Sequence, residues 1–177
     1  MRGVITIDTC AIIHFMYINR FDLLKLLGYH VITTVCVQLE FERGHSNSLA
    51  YYNKLVDSKD ILNFPLEIED LVEMSNIPQS KRASDAELSC FVVAKRIGGK
   101  VMTDDEKAIK YIQRYIQMPQ GSVTQLVEVL IEGYLENYLG DHELRSIQQT
   151  LKDNKFFIKI DLANEAAKRR WMMGGYT

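Results

Sequence analysis

The sequence predicts a three-layer α/β/α fold, in which helices cover both faces of a central parallel sheet of about four to five strands. Short runs of β-branched apolar residues alternate with stretches of helical periodicity, and this alternation is typical of parallel sheets. The chain has 177 residues, of which 47% are hydrophobic and 25% charged, and this suits one domain with a sizeable core. We therefore expect a globular α/β protein.

The first half of the chain contains two strand-to-helix units. A β-branched run at 4–7 ends at Asp8 and leads into a helical pattern. A similar run at 31–34 leads into a helix at 34–43. The other helices of this half are expected at 22–27, 48–56 and 65–76.

Two capping motifs organise the second half. Residues 84–87 have the spacing of a capping box and predict a helix that ends at two glycines, 98–99. A strand at 100–103 precedes a second motif of the same spacing, 103–106, which predicts a helix through Ile116. The later elements are expected as a brief extended piece near residue 118, helices at 123–139, 141–152 and 162–172, and an apolar strand or turn at 156–158.

Charge and composition exclude some classes of function. The 21 Lys and Arg residues nearly balance the 23 Asp and Glu residues, so the chain does not bind nucleic acid through bulk positive charge. A nuclease is not excluded, because bound metal ions and a local basic rim can hold phosphates. The sequence shows neither a signal peptide nor an apolar run of about 18 residues, and its three scattered cysteines suit reduced, buried thiols. We expect a cytoplasmic protein that does not enter a membrane.

Acidic residues follow the predicted strands. Asp8 follows the first strand, and Glu40 lies on the helix after the second. Asp104 and Asp105 follow a later strand, whereas Asp85 begins a helix. Since the carboxyl ends of parallel strands share one edge of a sheet, these carboxylates can share one pocket.

Clustered carboxylates repel one another and require protons or cations as compensation. Oxygen ligands without His or Cys favour Mg²⁺ or Mn²⁺. A purely structural interpretation is also open, because the helix dipole favours acids in first turns whatever the function, and this applies to Asp85, Asp104 and Asp105.

Four motifs carry a resemblance. In chain order they are Ile7-Asp8-Thr9-Cys10, Val37-Gln38-Leu39-Glu40, Ser84-Asp85-Ala86-Glu87 and Met102-Thr103-Asp104-Asp105. Their order and approximate spacing resemble those of the PIN domain, the nuclease fold of many VapC-type toxins, over residues 3–120. We accordingly divide the chain into a PIN-like nuclease domain at 1–122 and a C-terminal helical extension at 123–177, packed on the same domain.

The resemblance implies a site, an activity and partners. It implies an endoribonuclease that uses one or two Mg²⁺ or Mn²⁺ ions and hydrolyses RNA phosphodiester bonds with a metal-activated water. It also implies the toxin of a type II toxin–antitoxin system, with a cognate antitoxin protein and a homodimer as partners. The catalytic and metal-binding residues it implies are Asp8, Glu40, Asp85 and Asp105, with Asp104 as a further or substitute ligand and Thr9 and Thr103 as supporting hydroxyls.

Other residues and functions stay open. The four histidines lack ligand spacing, so we expect them on the surface or in the core. The alternative functions are a PIN-like nuclease acting on structured DNA or in rRNA processing, a Mg²⁺-dependent phosphatase, and a non-catalytic PIN-like binding module. The phosphatase is disfavoured, because no second aspartate stands two positions after Asp8. Basic residues that could hold an RNA backbone, if they are not merely solvated, are Lys81, Arg82, Lys107 and Lys110.

Overall fold

The fold is built around a parallel sheet. A computed structural model describes residues 2–174, so the end of the predicted extension, 175–177, lies outside the described residues. Within residues 2–174 the sheet has five strands: β1 (Gly3–Ile7), β2 (Tyr29–Thr34), β3 (Leu62–Phe64), β4 (Lys100–Met102) and β5 (Val123–Thr124). All neighbouring strands pair in parallel, in the order β3-β2-β1-β4-β5. Helices flank this sheet, which confirms the predicted three-layer α/β/α fold.

The helices connect and cover the strands. In chain order they are α1 (Thr9–Ile18), α2 (Asp22–Leu26), α3 (Val35–Gly44), α4 (Ser46–Asp57), α5 (Ile68–Ser75), α6 (Asp85–Ile97), α7 (Glu106–Ile112), α8 (Leu126–Leu135), α9 (Asp141–Asp153) and α10 (Leu162–Gly174). Helices α1, α3 and α7 each begin within a few residues of a strand end. This brings their first turns to the carboxyl edge of the sheet.

Strand β1 is the centre of the sheet and pairs with both β2 and β4. The backbone N–H of Asp8 continues this pairing by donating to the carbonyl of Met102 at 3.2 Å. The ends of β1 and β4 therefore lie side by side. The segments that follow these two strands, and that carry the first and last acidic motifs, are neighbours in space.

Helix α6 is the most deeply buried helix near this edge. It packs against β1, α3 and α5, and every residue from 88 to 94 is buried. The capping box predicted at its start is present, because Ser84 and Glu87 each accept a hydrogen bond from the other's backbone N–H. The helix ends at Gly98, whose φ of +64° suits glycine. Its first turn is thereby fixed beside β1.

Some predicted boundaries differ from the structure. Helix α7 begins after Asp105, which is its N-cap, rather than after Thr103, and it ends at Ile112 rather than Ile116. Residues 123–124 form β5 instead of a helix start, and 156–158 are neither strand nor helix. The edge strand β3 has no counterpart among the predicted elements.

The C-terminal helices pack onto the rest of the chain. Helix α10 contacts α8 and α9, and α9 in turn contacts α1. The division at residue 122 stays a prediction, and β5, which lies just beyond it, belongs to the sheet. Among residues 2–174, none of the helices combines the length and apolar character that crossing a membrane requires.

Candidate functional site

Asp8 lies at the carboxyl end of β1, in the middle of the sheet. Its extended backbone conformation makes it the N-cap of α1, and its Oδ1 accepts a hydrogen bond of 2.9 Å from the amide of Ala11. Only 1% of the residue is exposed. A carboxylate is therefore held in a fixed orientation inside the protein.

The surroundings of Asp8 disfavour its ionised form. Burial raises the pKa of Asp8 to about 6, and the negative charge of Asp104 adds to the increase. Hydrogen bonds from Thr103, Ala11 and Cys10 oppose it. The Cys10 thiol donates to both carboxylate oxygens, at 3.1 and 3.2 Å from its Sγ. Burial and the charge of Asp8 raise the pKa of this thiol in turn, so it stays protonated as a donor.

Glu40 is brought to Asp8 by the residue that follows Asp8. The Oγ1 of Thr9 donates a hydrogen bond of 2.6 Å to Oε2 of Glu40. This contact joins the first turn of α1 to the middle of α3. Glu40 is half-buried, so its carboxylate is oriented without being removed from solvent.

Asp105 supplies a third carboxylate from the loop after β4. Its Oδ1 accepts hydrogen bonds from the amides of Lys107 and Ala108, at 2.7 and 3.0 Å, which caps α7. The fully buried Thr103 accepts a bond of 3.3 Å from the Asp105 amide through its Oγ1. The cap uses one carboxylate oxygen, which leaves the other for a ligand.

Asp104 is engaged differently from its neighbour. Its Oδ2 lies 2.7 Å from Nδ1 of His14, and its Oδ1 accepts a bond of 2.8 Å from the amide of Leu126. The side chain is only 2% exposed. Both oxygens thus tie the end of β4 to α1 and to the start of α8, which is a structural role beside the site.

A fourth carboxylate near Asp8 comes from Glu87 in the first turn of α6. Its Oε2 accepts hydrogen bonds from the backbone N–H and the hydroxyl of Ser84, at 2.7 and 3.1 Å. Burial raises the pKa of Glu87 to about 7, and the charges of Asp8 and Asp105 add to the increase. These charges reach Glu87 because the three acids surround the same space.

Asp85 takes a different position from the one expected. It is exposed and lines a neighbouring cavity together with Cys36 and Arg43, whereas Glu87 lines the cavity of Asp8. Residues two apart on an α-helix point in nearly opposite directions, so Glu87 faces the cavity of Asp8 while Asp85 faces the neighbouring cavity, which adjoins the first at Glu40, His45 and Ser84. The motif 84–87 contains both acids, and its spacing alone did not distinguish them.

The acids share one cavity, which we call the central cavity. It has a volume of about 320 Å³ and opens at the carboxyl edge of the sheet. Its polar lining also includes Lys81, Arg82 and His45. Its carboxylate, hydroxyl and thiol lining consists of Asp8, Glu40, Glu87, Asp105, Thr9, Ser84 and Cys10.

The site residues predicted from the sequence do not all line the same cavity. Of the predicted set, the central cavity holds Asp8, Thr9, Glu40, Asp105, Lys81 and Arg82. Thr103 and Asp104 do not line the central cavity; they bond to the Asp105 amide and to His14, respectively, beside it. Lys107 lines an adjoining cavity, and Lys110 is an exposed side chain 3.6 Å from Glu106. The sequence analysis missed Glu87 and His45, whose positions depend on how α6 and α3 pack.

Comparison with known families identifies the fold more closely. A family model described as a PIN domain matches residues 4–170. The chain belongs to the PIN-domain family. No curated protein matches the sequence at a significant level. PIN domains are generally nucleases that depend on divalent metals, so a nuclease-like fold and a nucleic-acid substrate class follow for this PIN domain.

The residues of this PIN domain fit a hard divalent cation. Carboxylate oxygens are the ligands such ions prefer. Burial raises the pKa of both Asp8 and Glu87, and the charges of Asp8 and Asp105 raise that of Glu87 further, so a bound cation would relieve an unfavourable concentration of negative charge. Within residues 2–174, no three His, Cys, Asp or Glu side chains already surround a common point closely enough to hold an ion. Mg²⁺, however, retains several waters and is bound in proteins through one or two carboxylates. The central cavity offers that arrangement.

Proposed function

We propose that this PIN domain is a metal-dependent endoribonuclease that hydrolyses RNA phosphodiester bonds. The observation that carries the proposal is the central cavity, in which four carboxylates lie beside two cationic side chains, Lys81 and Arg82. Acids alone would repel a phosphodiester. Acids that bind a cation, with basic residues on the rim, attract one.

We propose different roles for the residues that line the central cavity. The carboxylates of Asp8, Glu40, Glu87 and Asp105 are the candidate ligands, one or two of which would contact the ion directly while the others would contact its waters. When bound, a divalent ion supplies positive charge to the phosphate and lowers the pKa of a nearby water. Thr9 keeps Glu40 in position through its hydrogen bond. Of the two acids in the motif 84–87 we assign the ligand role to Glu87, because Glu87 lines the central cavity and Asp85 does not.

The basic rim positions the RNA. Lys81 and Arg82 lie in the loop before α6 and line the central cavity, although both residues are exposed. Such side chains contact phosphates without reading bases. This assignment supports Lys81 and Arg82 as RNA-binding residues more strongly than Lys110, which lines none of the cavities described above.

A cleavage assay tests the proposal. The purified protein should cut single-stranded RNA with Mg²⁺ or Mn²⁺ and stop when EDTA is added. Asp8→Asn should lose the activity while keeping the helix cap, because the amide oxygen can still accept from Ala11. Asp57→Asn, at the exposed end of α4, is the control and should cut like the wild type. Equal cleavage by the wild type and Asp8→Asn would refute the proposal.

The same assay separates the alternative functions. Structured DNA, an rRNA fragment and a small phosphate ester serve as competing substrates at equal concentration. Preferred cutting of DNA or rRNA would assign the site to a different nuclease class. No cleavage of any substrate, together with no binding of Mg²⁺ or Mn²⁺ by calorimetry, would favour a non-catalytic binding module.

The toxin assignment is a finer part of the proposal and rests on the resemblance of the motifs. We propose that the protein acts in the cytoplasm as the toxin of a type II toxin–antitoxin pair, as a homodimer with a cognate antitoxin. Induced expression of the wild type should arrest bacterial growth, whereas Asp8→Asn should not. Growth unaffected by an active wild-type nuclease would exclude the toxin role and leave the nuclease assignment intact.

A further inference from the structure

A second cavity adjoins the central cavity, and we call it the side cavity. It has a volume of about 430 Å³ and shares Cys10 and Asp105 with the central cavity. Its remaining lining consists of His14, Asp104, Glu106, Lys107 and Phe156. We propose that the side cavity binds the nucleobase next to the phosphate that is cut, an inference that rests on the proposed nuclease function.

The side cavity has an aromatic wall. The rings of His14 and Phe156 are in contact, with centroids 3.9 Å apart and planes tilted by 42°. Every nucleobase has a flat face, and stacking on aromatic side chains is the usual means by which proteins hold unpaired bases. A wall of this kind beside a phosphodiester-binding cavity suits a base.

The aromatic wall is held in place from both sides. His14 is fixed through Nδ1 by Asp104, which is itself anchored to the amide of Leu126. Phe156 follows Lys155, whose φ of +65° turns the chain at the end of α9, and the Phe156 amide donates to the carbonyl of Leu151 at 2.9 Å. Because the two side chains are already held in place, they lose little conformational entropy when a base binds.

The charges of the side cavity favour a base over a phosphate. Its wall includes the carboxylates of Asp105 and Glu106, with Lys107 beside them. These negative charges repel a phosphate, whereas the Glu106 carboxylate can accept hydrogen bonds from the N–H groups of a neutral base. The phosphate therefore belongs in the central cavity with Lys81 and Arg82, and the base in the side cavity.

The shared wall sets the position of this base along the RNA. Cys10 and Asp105 line both cavities, so the two ligand groups would be covalent neighbours in the strand. A base one nucleotide away from the cut phosphate satisfies this relation. The base would then hold the RNA in register with the acids.

An abasic scan tests the inference. A short RNA substrate is prepared with a single abasic residue at each position around the cut. For the wild type, one position next to the cut should raise KM by about tenfold when its base is absent, as expected for one lost stacking interaction. Phe156→Ala should raise KM for the intact RNA by a similar factor and show no further penalty from that abasic residue.

The neighbouring aromatic residue provides the matched control. Phe157 is 67% exposed, and it does not line the side cavity. Phe157→Ala should keep the wild-type abasic penalty. Should Phe156→Ala fail to fold, Phe156→Leu retains an apolar side chain without a ring, and the same loss of the penalty is expected.

The outcomes separate the inference from the proposed function. If the wild type cuts RNA but shows no abasic penalty, or the same penalty as Phe156→Ala, the base-binding role of the side cavity is overturned and the nuclease assignment stands. If the wild type neither binds nor cuts RNA, both fail together. A penalty that disappears in Phe156→Ala and persists in Phe157→Ala supports the inference.

Discussion

The hydroxyl of Thr9 donates a 2.6 Å hydrogen bond to the carboxylate of Glu40. It connects the helix that follows β1 to the helix that follows β2. Thr9 is 5% exposed, so this bond is shielded from water. Glu40 therefore owes the orientation of its carboxylate to a residue that carries no charge.

Removing this hydroxyl should weaken the activity without removing any acid. Thr9→Val preserves the shape of the side chain, and we expect kcat to fall by about tenfold, because one hydrogen bond to a charged group is lost. Thr9→Ser keeps the hydroxyl and should restore most of the activity. Steady-state cleavage of RNA measures both, and equal rates for Thr9→Val and the wild type would contradict the role.

Substitutions of the two acids at the start of α6 should affect kcat very differently. Glu87→Gln keeps the capping box, because glutamine also accepts from the Ser84 amide, but it removes a charge from the central cavity. We expect kcat to fall by at least about 100-fold for Glu87→Gln. Asp85→Asn, two residues away and exposed, should change kcat less than about threefold. A larger fall in kcat for Asp85→Asn than for Glu87→Gln would instead assign the ligand role in the motif 84–87 to Asp85.

Neutralising Asp8 should stabilise the metal-free protein at high pH. The pKa of Asp8 is raised from 3.8 to about 6 in the folded state, so the folded protein binds the proton more tightly than the unfolded chain. The stability therefore falls as the pH rises from about 4 to about 6, and the full penalty, about 3 kcal/mol, is present above this range. Asp8→Asn cannot ionise and avoids the penalty.

Urea unfolding at two pH values measures this effect. In the presence of EDTA, Asp8→Asn should be more stable than the wild type at pH 8 by up to about 3 kcal/mol and nearly equal to it at pH 4. Asp57→Asn should match the wild type at both pH values. If Asp8→Asn were less stable than the wild type at pH 8, the ionised Asp8 carboxylate would not destabilise the folded protein, which would contradict the prediction.

The contact between α5 and α6 depends on a buried ion pair. Arg96 donates to both oxygens of Asp70, at 2.9 to 3.1 Å, and the Asp70 side chain is only 3% exposed. Arg96→Ala leaves this carboxylate buried without its cation, and we expect a loss of about 3 kcal/mol in the free energy of unfolding. Lys95→Ala breaks an exposed pair with Glu73 and should cost less than about 1 kcal/mol.

Chemical denaturation of the single variants and of the double variant Asp70→Ala/Arg96→Ala tests this assignment. The double variant should recover part of the loss, because it removes the unpaired charge as well. A cost for Arg96→Ala no larger than that for Lys95→Ala would mean that solvent compensates Asp70 in the variant.

Much of the fold followed from local signals in the sequence. The end of a buried strand predicts Asp8 as a site residue, and this stays a prediction. The fold predicted from the alternating pattern and the family expected from the resemblance of the motifs are confirmed. Strands β3 and β5 were missed for physical reasons. The first is a three-residue edge strand with an exposed pattern, and the second has two residues defined only by pairing with β4.

The details of the site depended on packing that no local pattern records. Whether Asp85 or Glu87 faces Asp8 is decided by the rotation of α6 against the sheet, and both fit the same capping motif. The motif 103–106 predicts Thr103 as the cap of α7, but the cap is Asp105. Threonine and aspartate both cap helices well, so the local pattern does not separate them. The sequence predicts His14 as a surface or core histidine without naming a partner, because Asp104 lies far away in the sequence.

The central position of β1 also determines when the central cavity can be completed during synthesis. Its pairing with β2 requires only the first part of the chain, but its pairing with β4 must wait until Met102 has been made. Non-local parallel pairs form late, because a long loop must close before they gain any contact. Asp105, which follows β4, cannot join Asp8 before then. A growing chain on the ribosome therefore carries only part of the acid set that lines the central cavity.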